Sequence, residues 1–552
     1  MRPTRLPDAR YFALTWAIPE NYAGMTTAIF RRSRAFDEHG AAVTVLTFDA
    51  RPDYPEFTER LRANGTLSPG TTILNLWEWL REHDLPGKPV PPGAVFSPIG
   101  SLEGLGKLDQ RDGLDKWEHL DLREADVWPG ETALTRTRMA EDDRTVLQVD
   151  YFRADGSLLA SDRRDCRKLG TPGGRSVVLC DRNGQPLSHW SRIIPLYHAW
   201  VDALTGGENS VLIIDSKTVA TSFIGYRRRN VLTVHVVHGS HLADPRNSAS
   251  GFSATRRQVF ENLNEFNATV LLSERQRQDV LSLAPEARTL RVIPNAVPLA
   301  PSPAPHRNRD AGVMLASLHS RKRVEDAISA SASANTRLDV YGDGPLRDRL
   351  QREIDDSGAA DRIRLRGYDP AAKDQLAAAS FLLLTSTAEG FPLVLLESMA
   401  AGCIPIAYDV RYGPDELIRD GENGFLVPDG DRAALAAEIV RLQRMPEPQV
   451  RAMREQARKT AEQYSPDAIM ARWASQLHRL LRLKRRRSFR ARLRRRIRRL
   501  VRSGFVSAPN PVSAGSTSGS AGSISGSAGS ISGSAGSTSG SEGSTSERIP
   551  RS

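Results

Sequence analysis

Two glutamates stand eight positions apart in the stretch TSTAEGFPLVLLESMAAGCIPIAYDV, which spans residues 385–410. Glu389 lies in a loop that contains Gly390 and Pro392, whereas Glu397 lies in an apolar run with helical spacing. The preceding SFLLLTS predicts a buried strand, and the following CIPIAYD predicts another. Glu389 therefore follows the C-terminal end of a strand, which is the edge where open α/β sheets bind ligands.

The loop and the start of the helix are suited to binding phosphate, because both present backbone N–H groups and the helix adds the positive end of its dipole. A carboxylate on each side of a phosphate can bind the hydroxyls that flank it. A ribose on one side and a hexose on the other describe a sugar nucleotide. The alternative is one solvated loop glutamate and one ordinary helix glutamate.

The strand and helix patterns around these residues predict two α/β domains. Residues 11–18 and 41–49 read as strands with a helix between them, and Gly24 lies just before that helix. Similar strand patterns resume at 210–216 and continue to a Pro-rich linker at 301–310, after which a second series begins. The sequence therefore predicts two Rossmann-like doubly wound domains that face a cleft.

The first domain is interrupted by a segment of different character at 85–195. VLQVDYFRADGSLLASDRRD and SVVLCDRNGQPLSHW each read as two strands joined by an Asp-Gly or Asn-Gly turn. We therefore expect an antiparallel β insertion. The complete predicted order is an N-terminal Rossmann-like domain (1–84 and 196–300), the insertion (85–195), a C-terminal Rossmann-like domain (301–466), a helix (467–483), a basic amphipathic helix (484–503) and a disordered Gly/Ser-rich tail (504–552).

The positive charge of the chain is local. The formal net charge is +11, but residues 482–502 hold 13 Lys and Arg and no acid, which leaves 63 basic and 65 acidic residues elsewhere. There is no run of 18 apolar residues, and the N-terminus makes a poor signal peptide. With only three cysteines, the chain has no disulfide framework. The composition predicts a cytoplasmic protein.

The basic segment has several interpretations. Its apolar residues recur at helical spacing among the arginines, which favours a helix on the anionic inner face of the plasma membrane; they are Phe489, Leu493, Ile497 and Leu500. It can also attract a polyanionic acceptor or be a solvated spacer. Nucleic acid is the weakest interpretation, because no recognition motif accompanies the charge.

The chemistry-bearing stretch resembles the signature of the retaining GT-B glycosyltransferases of family 4. The resemblance rests on Glu389-Gly390-Phe391-Pro392, on Glu397 and on the step from Ala401 to Pro405, with further matches in GPDELI (413–418) and NGFLV (423–427). It covers about 290–480 specifically. Within that family, the hairpin insertion and YDVRYGPDELI resemble the poly(glycerol-phosphate) and teichoic-acid-type glycosyltransferases.

The resemblance implies that the N-terminal domain binds the acceptor and that the C-terminal domain binds the nucleotide sugar. It also implies roles for individual residues. The catalytic group would be Glu389, His238 and Lys322, with Glu389 facing the sugar and Lys322 on the diphosphate. The donor-binding group would be Glu397 on the ribose, with Gly24, Phe391, Pro392, Leu393, Arg321 and Arg323. The family usually has an arginine five residues before this lysine. This chain has Ser317 instead, and Arg321 or Arg323 would replace that arginine.

His241 follows His238 by three residues, and we predict that it contacts substrate. The H-x2-H spacing suggests zinc, but no third ligand is evident in the sequence. We therefore expect no metal and no cofactor besides the UDP-sugar co-substrate.

The implied reaction moves a hexose from a UDP-sugar to a hydroxyl of a polyol-phosphate or related cell-envelope glycan, with retention of configuration. One alternative is a protein O-glycosyltransferase that acts on Ser/Thr-rich protein. Others are a non-catalytic sugar-nucleotide or polymer-binding subunit and a GT-B phosphorylase or epimerase. The β insertion is a candidate surface for homo-oligomer formation.

Overall fold

The computed structural model of the chain describes residues 5–502 except 21, 23, 52, 93, 95, 97, 100–134, 141, 143, 144 and 300–308, and it describes side chains as far as residue 486. The chain divides into two compact units, Met1–Phe489 and Arg490–Ser552. In the second unit the described part is helical, through residue 502. The predicted disordered tail at 504–552 lies outside the described residues.

The strands of the described part run in the following chain order: β1 (Arg10–Leu14), β2 (Val43–Thr47), β3 (Thr71–Asn75), β4 (Thr135–Met139), β5 (Val146–Phe152), β6 (Leu158–Arg163), β7 (Ser176–Cys180), β8 (Pro186–Trp190), β9 (Ser210–Ile214), β10 (Val231–Val236), β11 (Ala268–Leu271), β12 (Leu290–Val292), β13 (Ala311–Leu315), β14 (Arg337–Tyr341), β15 (Ile363–Gly367), β16 (Phe381–Leu384), β17 (Ile404–Tyr408) and β18 (Phe425–Val427).

The α-helices of the described part are α1 (Met25–Glu38), α2 (Tyr54–Ala63), α3 (Leu76–Glu82), α4 (Ile193–Thr205), α5 (Lys217–Ser222), α6 (Arg257–Phe260), α7 (Glu274–Leu283), α8 (Val324–Ser333), α9 (Arg347–Asp356), α10 (Leu393–Ala400), α11 (Pro414–Leu417), α12 (Arg432–Arg444), α13 (Glu447–Glu462) and α14 (Pro466–Arg502). Short 3-10 helices lie at Leu263–Glu265, Ser320–Lys322 and Ala372–Ala377.

Two parallel sheets carry the fold. The N-terminal sheet has the strand order β12-β11-β10-β9-β1-β2-β3, and the C-terminal sheet has the order β15-β14-β13-β16-β17-β18. Their central strands are almost wholly apolar and buried, as expected where helices cover both faces of a sheet. The predicted fold class, two doubly wound α/β domains of the GT-B type, is confirmed.

The predicted antiparallel insertion is also confirmed as a five-stranded meander, β4-β5-β6-β7-β8. The Asp-Gly and Asn-Gly turns lie where the sequence placed them, with Gly156 between β5 and β6 and Gly184 between β7 and β8. Both glycines adopt positive φ angles, 81° and 72°, which are costly for residues with a side chain.

The C-terminal helices differ from the prediction of two separate segments. A single helix, α14, spans both the predicted helix at 467–483 and the predicted basic helix. The sequence between them contains no Gly or Pro, so nothing interrupts the backbone hydrogen bonding. Among the helices in the described residues, none is both long enough and apolar enough to cross a membrane.

Candidate active site

The Glu389 loop lies where the two sheets face each other. The loop follows strand β16, and α10 begins at Leu393, after Pro392. The backbone N–H of Glu389 donates to the carbonyl of Arg411 at 2.7 Å, and the carbonyl of Glu389 accepts from the N–H of Tyr412 at 2.8 Å. These bonds fix the loop against the segment that follows β17.

The same loop touches the N-terminal domain. Any side chain at Gly390 would clash with the carbonyl oxygen of His238, which follows β10. Glycine is therefore needed for this close approach of two backbones. The contact brings Glu389 and His238 to one interdomain site, as the sequence predicted, although their roles there stay predictions.

Lys322 is the direct partner of Glu389. Its Nζ lies 2.5 Å from Oε1 of Glu389, and Nη1 of Arg321 lies 3.6 Å from the same oxygen. Burial by itself would raise the pKa of Glu389, but the two nearby cations outweigh it and lower the pKa below the usual value. Glu389 is therefore an ionised carboxylate whose charge is balanced by flexible cations.

The two arginines beside Lys322 behave differently. Arg323 donates to the carbonyls of Thr385 and Ser386, each at 2.9 Å, and pairs with Asp429. The side chain of Arg323 is thus engaged by the loop backbone and by Asp429. We had predicted that it contacts the donor. Arg321 is 55% exposed beside Glu389, so it is the better placed of the two to meet a donor phosphate.

Glu397, the predicted ribose ligand, is bound by protein cations in this structure. Arg31, from α1 of the N-terminal domain, pairs with its Oε1, and Nζ of Lys373 lies 3.0 Å away from that oxygen. Burial raises the pKa of Glu397, and the two cations more than offset this effect, so that the pKa falls below its usual value. Sequence analysis missed both cations.

His238 belongs to a chain of three charged or polar side chains, of which Asp215 follows β9, His238 follows β10 and Arg32 lies on α1. Its Nε2 lies 2.7 Å from Oδ1 of Asp215, and Arg32 donates to both oxygens of that carboxylate at 2.8 and 2.6 Å. Asp215 is fully buried; burial raises its pKa, but Arg32 and His238 together bring the pKa down to about 2. The imidazole is therefore held in one orientation by a permanent anion.

His241 is not part of the open site, contrary to the prediction that it contacts substrate. Its ring is completely buried and stacks between Phe260 and Tyr412, with centroid distances of 5.3 and 5.8 Å. Burial lowers its pKa to about 4. The histidine is a packing residue between the two domains, and the apolar rings around it exclude solvent.

The remaining predicted donor residues lie at element boundaries. Phe391 is buried, with its ring centroid 5.8 Å from that of Tyr464, while Pro392 and Leu393 open α10. Gly24 precedes α1 with φ of 49° and has open space where a side chain would project. Both helix starts leave backbone N–H groups without intrahelical partners, which suits an anionic ligand.

Further contacts join the domains beside the site. Glu416 accepts from the backbone N–H groups of Glu274 and Arg275, at 3.0 and 2.7 Å, and so caps α7 from the opposite domain. The hydroxyl of Tyr412 donates to Asp279 at 2.8 Å, and Arg411 lies 3.0 Å from the same carboxylate. The domains are thus in contact around the Glu389 loop.

Residues 305–460, which contain this loop, match the family model described as glycosyl transferases group 1. The chain carries a glycosyltransferase group 1 domain. Sequence relatives agree with this assignment. The chain is 19% identical over 503 residues to a Staphylococcus aureus poly(ribitol-phosphate) alpha-N-acetylglucosaminyltransferase, covering 84% of this chain and 98% of the relative. It is 22% identical over 533 residues to the Bacillus subtilis poly(glycerol-phosphate) alpha-glucosyltransferase, covering 86% and 76%.

Another relative has a different name. The chain is 33% identical over 297 residues to a Streptomyces coelicolor exopolysaccharide phosphotransferase, but the match covers 51% of this chain and only 31% of that protein. Because so little of that protein is matched, its named activity does not transfer to this chain.

Solved structures share the fold of most of the chain, including the group 1 domain. The crystal structure of TarM covers 86% of this chain and all of its own, with a TM-score of 0.62 and 19% identity. The pneumococcal O-GlcNAc transferase GtfA, in complex with UDP and GlcNAc, covers 86% of this chain and 99% of its own, with a TM-score of 0.61 and 16% identity. These likenesses establish the GT-B fold, and the domain and relatives together make the chain a glycosyltransferase.

Proposed function

We propose that the protein transfers a hexose from a UDP-sugar to a hydroxyl of a polyol-phosphate or related cell-envelope polymer, with retention of configuration. The observation that carries the proposal is the contact between Glu389 and Lys322 at the interdomain site, opposite His238. An ionised carboxylate can hold sugar hydroxyls, and the adjoining cation can hold the diphosphate that leaves.

The donor would bind along the Glu389 loop. Lys322 and Arg321 would offset the negative charge that develops on the departing UDP, which is the role that preorganised cations play in such reactions. The amides at the start of α10 would add hydrogen bonds to phosphate oxygens. With these cations in place, the reaction is expected to need no metal.

The reaction itself is expected to occur on one face of the sugar. Glu389 is engaged by two cations, which makes it a weak candidate for a covalent nucleophile. In the front-face path, the bond from the anomeric carbon to the diphosphate breaks as the acceptor oxygen forms its bond on the same side. The acceptor proton passes to the departing diphosphate oxygen. His238, held by Asp215, would orient the sugar.

The acceptor class is inferred from the relatives. The two proteins that match across most of their length are named for poly(ribitol-phosphate) and poly(glycerol-phosphate) acceptors. A panel of UDP-sugars should therefore be scored against a polyol-phosphate acceptor, and the anomeric configuration of the product read by NMR. One UDP-sugar should give an α-linked product from an α-linked donor. An inverted product, or no turnover of any UDP-sugar, would overturn the proposal.

A second candidate is O-glycosylation of a Ser/Thr-rich protein. It is favoured by 27% identity over 291 residues to the Streptococcus gordonii UDP-N-acetylglucosamine--peptide N-acetylglucosaminyltransferase GtfA subunit, of which the match covers 56%. A Ser/Thr-rich peptide belongs in the same acceptor panel. Faster transfer to the peptide than to the polyol-phosphate would favour this candidate.

A further inference from the structure

A half-buried arginine beside the Glu389 loop differs from the other cations of the interdomain site. Arg256 immediately precedes α6 in the N-terminal domain. A side chain on Gly239 would meet Nη2 of Arg256 at 3.1 Å, so the guanidinium covers the face of Gly239. Gly239 also lies against Gly390, because a side chain on Gly390 would meet the Cα of Gly239 at 2.8 Å. Arg256 thus contacts Gly239, which in turn contacts the loop that carries Glu389.

Four other arginines of this interface each meet a carboxylate: Arg31 pairs with Glu397, Arg32 with Asp215, Arg275 with Asp415 and Arg411 with Asp279. In the described part of the chain, Arg256 has no ion pair and no side-chain hydrogen bond. Burial lowers the pKa of its guanidinium, and no carboxylate contributes an opposing effect. Its positive charge is therefore uncompensated by the described residues.

An uncompensated charge in a partly dehydrated position is unfavourable unless an anion completes it. The planar guanidinium is suited to a tetrahedral phosphate, which it can bind through two parallel hydrogen bonds. His235 and His241 lie near enough for Arg256 to lower the pKa of each. The surroundings of Arg256 thus include neutral imidazoles and a bare glycine backbone, and none of these groups supplies a negative charge.

We propose that Arg256 binds a phosphate group of the acceptor chain and places the neighbouring hydroxyl at the transfer site. This inference rests on the proposed function and specifies its acceptor as anionic. The domain that carries Arg256 favours an acceptor phosphate over a donor phosphate. Lys322 and Arg321, the cations beside Glu389, belong to the C-terminal domain, whereas Arg256 belongs to the N-terminal domain, where its guanidinium contacts Gly239.

Binding can be measured without sugar transfer, by calorimetry of the full chain with a short glycerol-phosphate oligomer at low salt. Wild type should bind the oligomer, and Arg256→Gln should bind it about tenfold more weakly or worse, since a hydrogen-bonded charge is lost. Arg257→Gln is the matched control, because Arg257 is the adjacent arginine and is exposed. It should bind like wild type. Arg256→Lys, which keeps the charge, should bind with intermediate affinity.

UDP is the second ligand in this experiment. The affinity for UDP should be the same in Arg256→Gln and wild type; a matching loss of UDP affinity would assign the arginine to the donor and overturn the inference. Equal oligomer binding by Arg256→Gln and wild type would also overturn it, as would wild type that fails to bind the oligomer. These outcomes do not depend on turnover, so they are separable from failure of the proposed transfer reaction.

Discussion

Asp215 binds His238 and Arg32 at once, with 2.7 Å from its Oδ1 to Nε2 of the histidine and 2.6 Å from its Oδ2 to Nη2 of the arginine. The carboxylate therefore links α1 to the ends of two neighbouring strands. Because Asp215 is fully buried and ionised, removing its charge affects both the orientation of His238 and the stability of the domain.

We predict that this ion pair makes stability depend on pH in the acid range. The pKa of Asp215 is lowered to about 2 from its ordinary value of 3.8, so the native state binds this proton less readily than the unfolded chain. The contribution, about 2 kcal/mol, is complete above about pH 5 and is lost as the pH falls through about 2. Thermal unfolding of wild type and Asp215→Asn should show a difference in stability that shrinks over this range.

The bridge from Arg31 to Glu397 joins the two Rossmann-like domains. Arg31→Met should lower the free energy of unfolding by about 2 kcal/mol or more, because a buried carboxylate loses one of its two cations. Arg34→Met, on the same helix, is the control, since Arg34 bonds only to backbone carbonyls at the surface. Equal denaturation midpoints for the two variants would show that the bridge contributes nothing to stability.

His241 gives a prediction in which the variant is more stable than wild type in acid. Its pKa is lowered to about 4, so protonation is resisted in the folded state and the native protein loses stability as the pH falls from about 6.5 to 4. His241→Phe keeps the stacking with Phe260 and Tyr412 and removes the titration. It should be as stable as wild type at pH 7 and more stable at pH 5 in thermal unfolding.

The control for this prediction is His319→Gln, because His319 is an exposed histidine. Its unfolding temperature should follow that of wild type at both pH values. If His241→Phe loses stability equally at pH 7 and pH 5, the imidazole makes a favourable contact that packing alone does not explain.

The basic end of α14 should recruit the protein to anionic membranes. Residues 482–502 carry 13 Lys and Arg and no acid, and each such charge near an anionic surface adds about 1 kcal/mol of attraction. A variant lacking 487–503 should remain unbound in flotation with phosphatidylglycerol vesicles, while wild type floats. Phosphatidylcholine vesicles should recruit neither protein. Unchanged flotation of the deletion variant would assign any membrane contact to another surface.

The sequence predicted much of the fold and the loop at the centre of the site. Glycine and proline punctuation around Glu389 marked a strand, a loop and a helix, and those elements are where they were expected. The cations on Glu397 were missed because Arg31 stands 366 positions away from it and Lys373 lies in a short 3-10 helix with no periodic signal. The spacing of neighbouring residues in the sequence does not indicate a contact between two domains.

Asp215 could have been found. It follows the buried strand VLII directly, at the same sheet edge as His238, and this is the edge where open α/β sheets bind ligands. Arg256 carried no such signal, because its distinction is the lack of a partner, which becomes visible only when the surrounding side chains are placed.

Glu389 and Lys322 are proposed to form the donor site of a sugar transferase. The test is the rate of UDP release from the preferred UDP-sugar, measured for wild type, Glu389→Ala and Glu422→Ala, the last being an exposed glutamate of the same domain. We predict that Glu389→Ala lowers turnover by about a hundredfold or more while Glu422→Ala leaves it unchanged. Equal rates for wild type and Glu389→Ala would show that Glu389 is not part of the donor site.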